Sequence, residues 1–245
     1  MSSALRLVGV SKAFDRGRDR VGVLQDVSLE VAAGQIAAVV GTRDQGKTTL
    51  IRVASGTLRV DQGSVFVDDR EVTGMSDRQL TEVLARKIGI AARSGPEARL
   101  TVHDYVEMSL TAARDWSSRE RRERVTRTLR EFDLAGATGL MWSELSNWQR
   151  VLVEFAQAVI VRPRLLLIDD VLDGLGLDKK QTALELIEGF AEEIGCGVLM
   201  AVSDHAAAVR AGQVWHLADG KLRLMHKDSG IVDLHERREV RAAEN

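Results

Sequence analysis

The sequence predicts an α/β protein, an α/β core that carries a helical subdomain, and three observations lead there. Short, continuously apolar runs at IAAVV (36–40), RLLLID (164–169) and GVLMAVS (197–203) have the length of strands and lack alternation, as strands buried on both faces do. From about Thr101 to Gln157, apolar residues recur at three- and four-residue steps, the period of helices packed on one side. Alternating strand and helix resume after that insert, so the order is β, helical insert, β/α.

Taken in order, LRLVGV and VSLEV read as strands bounded by polar residues and glycine. IAAVV follows, then a glycine-bearing loop and the helix TTLIRVASG, stopped at Gly56. SVFVDD is a further short strand, and SDRQLTEVLARK a helix with Ser76 as its N-cap. VHDYVEMSLTAARDW and SSRERRERVTRTLREFDL are the helices predicted for the insert. RLLLID and GVLMAVS are strands joined through the helix TALELIEGFAEEI. VWHLADGKLRLM is predicted to close as a hairpin turning at Asp219-Gly220. The tail, about 226–245, is charged and expected to be peripheral. With no internal repeat and no low-complexity tract, one domain is expected over 1–245, its helical subdomain at about 101–157.

A hydrophobic content of 44%, 29% charged residues and a formal net charge of −2 describe an ordinary globular chain. That balance supplies no electrostatic footprint for nucleic acid, and no nucleic-acid partner is expected. The single cysteine, Cys196, cannot form an internal disulfide and fits a reducing cytosol. The start MSSALRLVGVSK lacks a signal peptide's apolar stretch, and the apolar runs fall short of the roughly 20 residues that span a bilayer. Any association with a membrane is therefore expected to run through a partner.

Gly41-Thr42-Arg43-Asp44-Gln45-Gly46-Lys47-Thr48, followed by Thr49, fits the phosphate-loop pattern Gly-x-x-x-x-Gly-Lys-Ser/Thr. It stands where that pattern has meaning, after a buried strand and at the start of a helix. Successive backbone N–H groups and the helix N-terminus make an anion nest. Lys47 adds a point charge at the β- and γ-phosphates, and the Thr48 hydroxyl is a ligand for Mg²⁺, so ATP and Mg²⁺ are the expected cofactors. A second acidic site supports this. The strand Leu165–Asp169 ends in Asp169 and Asp170, where the crevice of an open α/β sheet lies. Asp169 is the candidate Mg²⁺ ligand, directly or through water, and Asp170 the candidate base that orients or deprotonates an attacking water. The bland alternatives are a chance match in a glycine turn and an acidic turn after a strand.

The ordered set Phe14, the loop at 41–49, LTVHDYV, LSNWQ at 145–149, LLLIDD at 165–170 and VSDH at 202–205 resembles the ATP-binding subunits of ABC transporters over about residues 4–225. The stretch GMSDRQLTEVLARKIGI is similar to the lipoprotein-releasing, macrolide-exporting and cell-division branch. The resemblance implies an ABC-type P-loop NTPase core with an N-terminal antiparallel β subdomain and a helical subdomain. It also implies a second nucleotide-binding subunit, identical or paralogous, paired head to tail, with integral membrane permease subunits as partners. The chain would then sit peripherally on the cytoplasmic face of the membrane. Ser146 and Gln149 of the signature would face the partner's ATP. Phe14 would stack on adenine, with a core phenylalanine as the alternative.

Several positions depart from the family. Asp44 stands for a third loop glycine, and Asp170 for the glutamate base, one methylene shorter. Asp204 stands for the switch histidine, with His205 one residue late and on the opposite face of a regular strand. Arg93 aligns with the coupling glutamine, unless the alignment drifts through SGPEARL. Asn147 and Trp148 replace signature glycines, and Trp148 either obstructs the γ-phosphate or turns into packing. Gly176 stands for the crossing aspartate, with Asp178 two residues late. The resemblance thus implies an ATP-binding subunit that couples binding, with slow hydrolysis, to membrane subunits. The alternative is a non-hydrolysing, nucleotide-gated regulatory or scaffolding subunit.

Overall fold

The computed structural model describes residues 2–225 except 18, 94, 97–98, 114, 204–207 and 209. Asp204, His205 and the charged tail at 226–245 therefore lie outside the described residues.

The chain opens with two long strands, β1 (Ser3–Arg16) and β2 (Asp19–Ala32), paired antiparallel around Gly17, whose φ is 65°. β4 (Gln62–Val67) pairs with the other edge of β1 and β5 (Arg70–Glu71) with β4, completing an antiparallel sheet in the order β2-β1-β4-β5. Asp68 and Asp69 both take positive φ, 50° and 59°, the two-residue turn whose twist suits a hairpin. This is the antiparallel subdomain that the resemblance implied.

The second sheet holds β3 (Ile36–Val40), β6 (Ile88–Ala92), β7 (Leu165–Asp169), β8 (Gly197–Val202), β9 (Gln213–Ala218) and β10 (Lys221–Met225). Its order is β10-β9-β3-β8-β7-β6, parallel except for the β9–β10 hairpin. The hairpin turns at Asp219 and Gly220, both at positive φ, as the Asp-Gly pair predicts. The apolar runs have the two-sided burial expected of them. Ala37, Val39, Leu165, Leu167, Leu199 and Ala201 pack toward the antiparallel sheet and α1 (Lys47–Ala54). Their neighbours Ala38, Val40, Leu166, Ile168, Val198, Met200 and Val202 pack toward the helices on the other face. Those helices include α3 (Val102–Ala113), α4 (Ser118–Glu131), α5 (Asn147–Val159) and α6 (Leu177–Ile194).

Serine starts three of the helices. Ser76 before α2 (Asp77–Lys87), Ser117 before α4 and Ser146 before α5 each close a reciprocal capping box with Gln79, Glu120 and Gln149. Such caps contribute about 0.5–2 kcal/mol each. The first insert helix ends at Ala113, short of the Trp116 that the periodicity included, because Ser117 begins a new one.

The strand β6 escaped the sequence reading. It follows α2 without a break, the chain turning from helix to extended at Ile88, and it contains a glycine. That glycine has a packing reason. A Cβ on Gly89 would stand 2.1 Å from the Ala158 carbonyl oxygen, so α5 lies directly on the strand there. Gly89→Ala is therefore expected to destabilise the fold by about 1–3 kcal/mol, the cost of overpacking, in urea titration. Gly136→Ala, at an exposed position with nothing within 4 Å, should stay within about 0.5 kcal/mol of wild type.

Candidate functional site

The C-terminal ends of β3, β7 and β8 meet at one edge of the parallel sheet, and the chain places its candidate chemistry there. After β3 the loop 41–46 doubles back into α1. Gly41 allows this because a Cβ would lie 2.7 Å from the Leu217 carbonyl oxygen, and Gly46, at φ 95°, because a Cβ would meet Val23 at 2.7 Å. Asp44 adopts φ 65°, the left-handed conformation in which glycine is easiest and aspartate among the better-tolerated alternatives. Its side chain is exposed. Gln45 pins the loop by accepting from the Asp219 N–H at 3.0 Å.

The helix that follows is built to receive an anion. Its N-cap, Gly46, offers no side-chain hydrogen bond, and no acidic residue stands in its first turn. The first N–H groups of a helix lack intrahelical partners and carry the positive end of its dipole. Lys47, only 4% exposed, donates from Nζ to the Gly41 and Thr42 carbonyls at 2.9 and 3.2 Å and to Ser203 Oγ at 3.1 Å, with Asp170 Oδ2 at 3.6 Å. Thr48 Oγ1 donates to Asp169 Oδ1 at 3.1 Å, so the two predicted Mg²⁺ ligands already face each other. These oxygen donors, with a phosphate nest beside them, fit a hard divalent cation.

Asp169 ends β7, and burial raises its carboxyl above the ordinary range. The Thr48 hydrogen bond opposes that rise, and the neighbouring Asp170 charge adds to it. Asp170 lies past the strand, at φ 49°, and accepts from Ser203 Oγ at 3.1 Å. Ser203 thus bridges Lys47 and Asp170, a role that sequence reading missed, although its place directly after β8 is the signal that could have found it.

Phe14 is 37% exposed at the mouth of a cleft of about 460 Å³ that Lys47, Thr48, Thr49, Arg43 and Asp170 also line. It is not a core residue, and Lys12 Nζ stands 5.6 Å from its ring centroid. Ser146 and Gln149 are not among the residues lining this cleft, and their side chains satisfy each other in the α5 cap, with Gln149 N–H donating to Ser146 Oγ at 3.2 Å. Trp148 is half-buried and packs against the helical-face core, so it turns into packing and does not simply stand out as an obstruction. Gly176 is the N-cap of α6, and Asp178 falls in that helix's first turn, where a carboxylate complements the dipole. Arg93 directly follows β6, whose last residue Ala92 pairs with Asp169, so its backbone sits at the same sheet edge as the carboxylates.

The family described as ABC transporter matches residues 24–173. The chain is 31% identical over 249 residues to a methionine import ATP-binding protein of Rhodococcus jostii, covering 95% of this chain and 72% of that protein. It is 32% identical over 226 residues to the lipoprotein-releasing system ATP-binding protein of Bordetella avium, covering 91% and 96%. Among solved structures, a bacterial ABC transporter cassette in dimeric form superposes with a TM-score of 0.84 at 24% identity, covering 90% of this chain and 97% of that one. At that identity the likeness is one of fold.

Because burial disfavours the Asp169 charge, Asp169→Asn is expected to raise the melting temperature at pH 8. A carboxyl whose folded value is raised contributes stability that is complete below its unfolded value and lost as pH rises through the folded one. The advantage of the variant should therefore vanish as pH falls into the ordinary carboxylate range, a trend that thermal unfolding across a pH series would read.

Proposed function

This chain belongs to the ABC transporter family as an ATP-binding subunit, and on that premise we propose that it drives its membrane partners mainly by binding ATP, with hydrolysis slowed by orders of magnitude. The observation that carries the reading is the contrast within one site. The phosphate loop, Lys47 and the Thr48–Asp169 pair are complete, while Asp170 is short and engaged with Ser203 and Lys47. A general base must reach within about 2.6–3.2 Å of its proton, directly or through one water. The arm of Asp170, one methylene shorter than that of glutamate, limits that reach.

Mg²⁺ would be held by Thr48 and Asp169, where it would neutralise phosphate charge. Phe14 would stack on adenine, and its exposure beside the phosphate cleft supports this over a core role. The position of Ser146 and Gln149 outside the lining of their own chain's cleft supports a composite site completed by a second nucleotide-binding subunit. Trp148 and Asn147 in place of small residues would loosen that contact. Among the described residues no helix is long and apolar enough to cross a membrane. The likeness to ATP-binding proteins of import and lipoprotein-releasing systems supports attachment through permease subunits at the cytoplasmic face. For that contact we favour the open groove between α2 and α3, where Arg78, Glu82, Arg86, Asp104 and Glu107 surround Met108, 49% exposed. The relatives favour a working transporter subunit over a detached regulatory or scaffolding module.

Two outcomes are expected. In calorimetry, Lys47→Ala should lose ATP binding, and Phe14→Ala should weaken it about tenfold, as loss of aromatic stacking on a base does. In phosphate-release assays of the chain with its membrane partner, turnover should be slow but measurable. Asp170→Asn should remove at least about a hundredfold of it, the low end for general-base catalysis, while ATP still binds. Release that Asp170→Asn leaves untouched would exclude Asp170 as the base.

A further inference from the structure

Glu154 lies in α5 at 3% exposure, a buried carboxylate that no part of the phosphate site uses. It accepts hydrogen bonds from three directions. Tyr105 Oη of α3 donates at 3.1 Å, the Ala92 N–H at the end of β6 at 3.4 Å, and the Gly95 N–H supplies a third. The loop it grips is seated on its other side too. Gly95, at φ 63°, rests on the Trp142 indole so closely that a Cβ would stand 2.4 Å from the ring. Trp142 meets Tyr105 edge-on at 5.9 Å, and Arg150 donates to the Trp142 carbonyl at 3.2 Å. Arg93 stands between the two gripped residues, beside a hollow of about 180 Å³ that Glu154, Arg150, Asn147 and Asp173 also line.

We propose that Glu154 is a positioning residue: its carboxylate clasps the segment Ala92–Gly95 to the helical subdomain and so sets where Arg93 stands against the carboxylate edge of the nucleotide site. Ala92 pairs with Asp169, so the Arg93 backbone lies beside the strand end that carries the acidic pair, while its guanidinium reaches toward Gly174 in the loop after β7. Any shift of Arg93 there reaches α3 and α5 through Glu154, and any shift of the helices returns by the same route. Among the described residues no cation is bonded to the Glu154 carboxylate, which makes it a costly anchor, and its three donors are what offset the desolvation. Burial pushes the Glu154 carboxyl up to about 7, against the pull of those same donors. The charged groups around it are Arg93 from the loop, Arg150 from its own helix and Asp173 from the loop after β7. Because the donors favour the anion, the grip tightens as pH rises through neutrality.

The proposal rests on the site being an ATP site, and the experiment separates the two. ATP and ADP affinities of the full chain would be measured by calorimetry with Mg²⁺ from pH 6 to 8.5, for wild type, Glu154→Gln and Tyr105→Phe. Glutamine turns an N–H group toward backbone donors, so Glu154→Gln should weaken ATP binding about fivefold at pH 8, the effect of one lost hydrogen bond, while ADP stays within about twofold. The same variant should lose the wild-type inflection near pH 7; comparison at each pH removes the titration of the nucleotide itself. Tyr105→Phe keeps the carboxylate but removes one donor, so its inflection should move to higher pH, and it carries the test if Glu154→Gln does not fold. Equal weakening of ATP and ADP, or pH profiles unchanged in both variants, would overturn the clasp while leaving the ATP site standing. Binding of neither nucleotide by wild type would overturn both.

Discussion

A buried ammonium group has to be satisfied on every side, and that requirement at Lys47 holds the site together. Its partners come from three strand ends: the Gly41 and Thr42 carbonyls after β3, Asp170 after β7 and Ser203 after β8. A lysine so enclosed is stable only if the strands end in register, which parallel pairing of β3 with β8 and of β8 with β7 enforces. The pairing in turn depends on burying both strand faces, one under the antiparallel sheet and one under the helices. Gly197 marks how closely the layers approach, since a Cβ there would lie 2.5 Å from that of Ala4. The chemistry at the sheet edge and the packing of the core are thus one constraint seen from two ends.

The elements most legible in sequence were those with a single dominant signal. IAAVV, LLLID and GVLMAV could hardly be other than two-face-buried strands, and Ser76 as an N-cap announced α2. β6 was hidden because its glycine looks like a breaker, and only the place of Ala158 against it explains the residue. Within the site, the loop and the Thr48–Asp169 pair followed from the pattern alone. Ser203 and Glu154 did not, since each matters through partners distant in sequence, Lys47 for one and Ala92, Gly95 and Tyr105 for the other. No local period or motif reports such contacts.

The departures from the family pattern divide by what they disturb. Asp44 and Asp170 both sit at positive φ, where aspartate is tolerated far better than longer or branched side chains. Gly176 serves as a helix N-cap, and Trp148 contributes to the core. Each substitution is thus compatible with the backbone, and the fold loses nothing evident by it. On the proposed reading, what changes is the reach of a carboxylate and the closeness with which a partner's phosphate would be approached. Both bear on the transition state, where charge and water must be placed within tenths of an ångström, more than on the ground state, which the loop backbone and Lys47 hold.

On the proposed reading, a subunit with a sound binding loop and a weakened catalytic set still has to transmit what it binds. Transmission needs a rigid path, because a loop that is free at both ends absorbs displacement without passing it on. The segment after β6 is such a loop by composition, with glycine and polar residues, yet it is gripped by Glu154 on one side and seated on Trp142 on the other. Its grip uses a carboxylate whose charge is disfavoured by burial. A neutral side chain would fill the same space at lower cost, but it would hold the two backbone donors less firmly. The expense is intelligible if the position of Arg93 matters to what the helices do, and that places the functional weight of this chain between the sheet edge and the helical subdomain as much as in the phosphate loop itself.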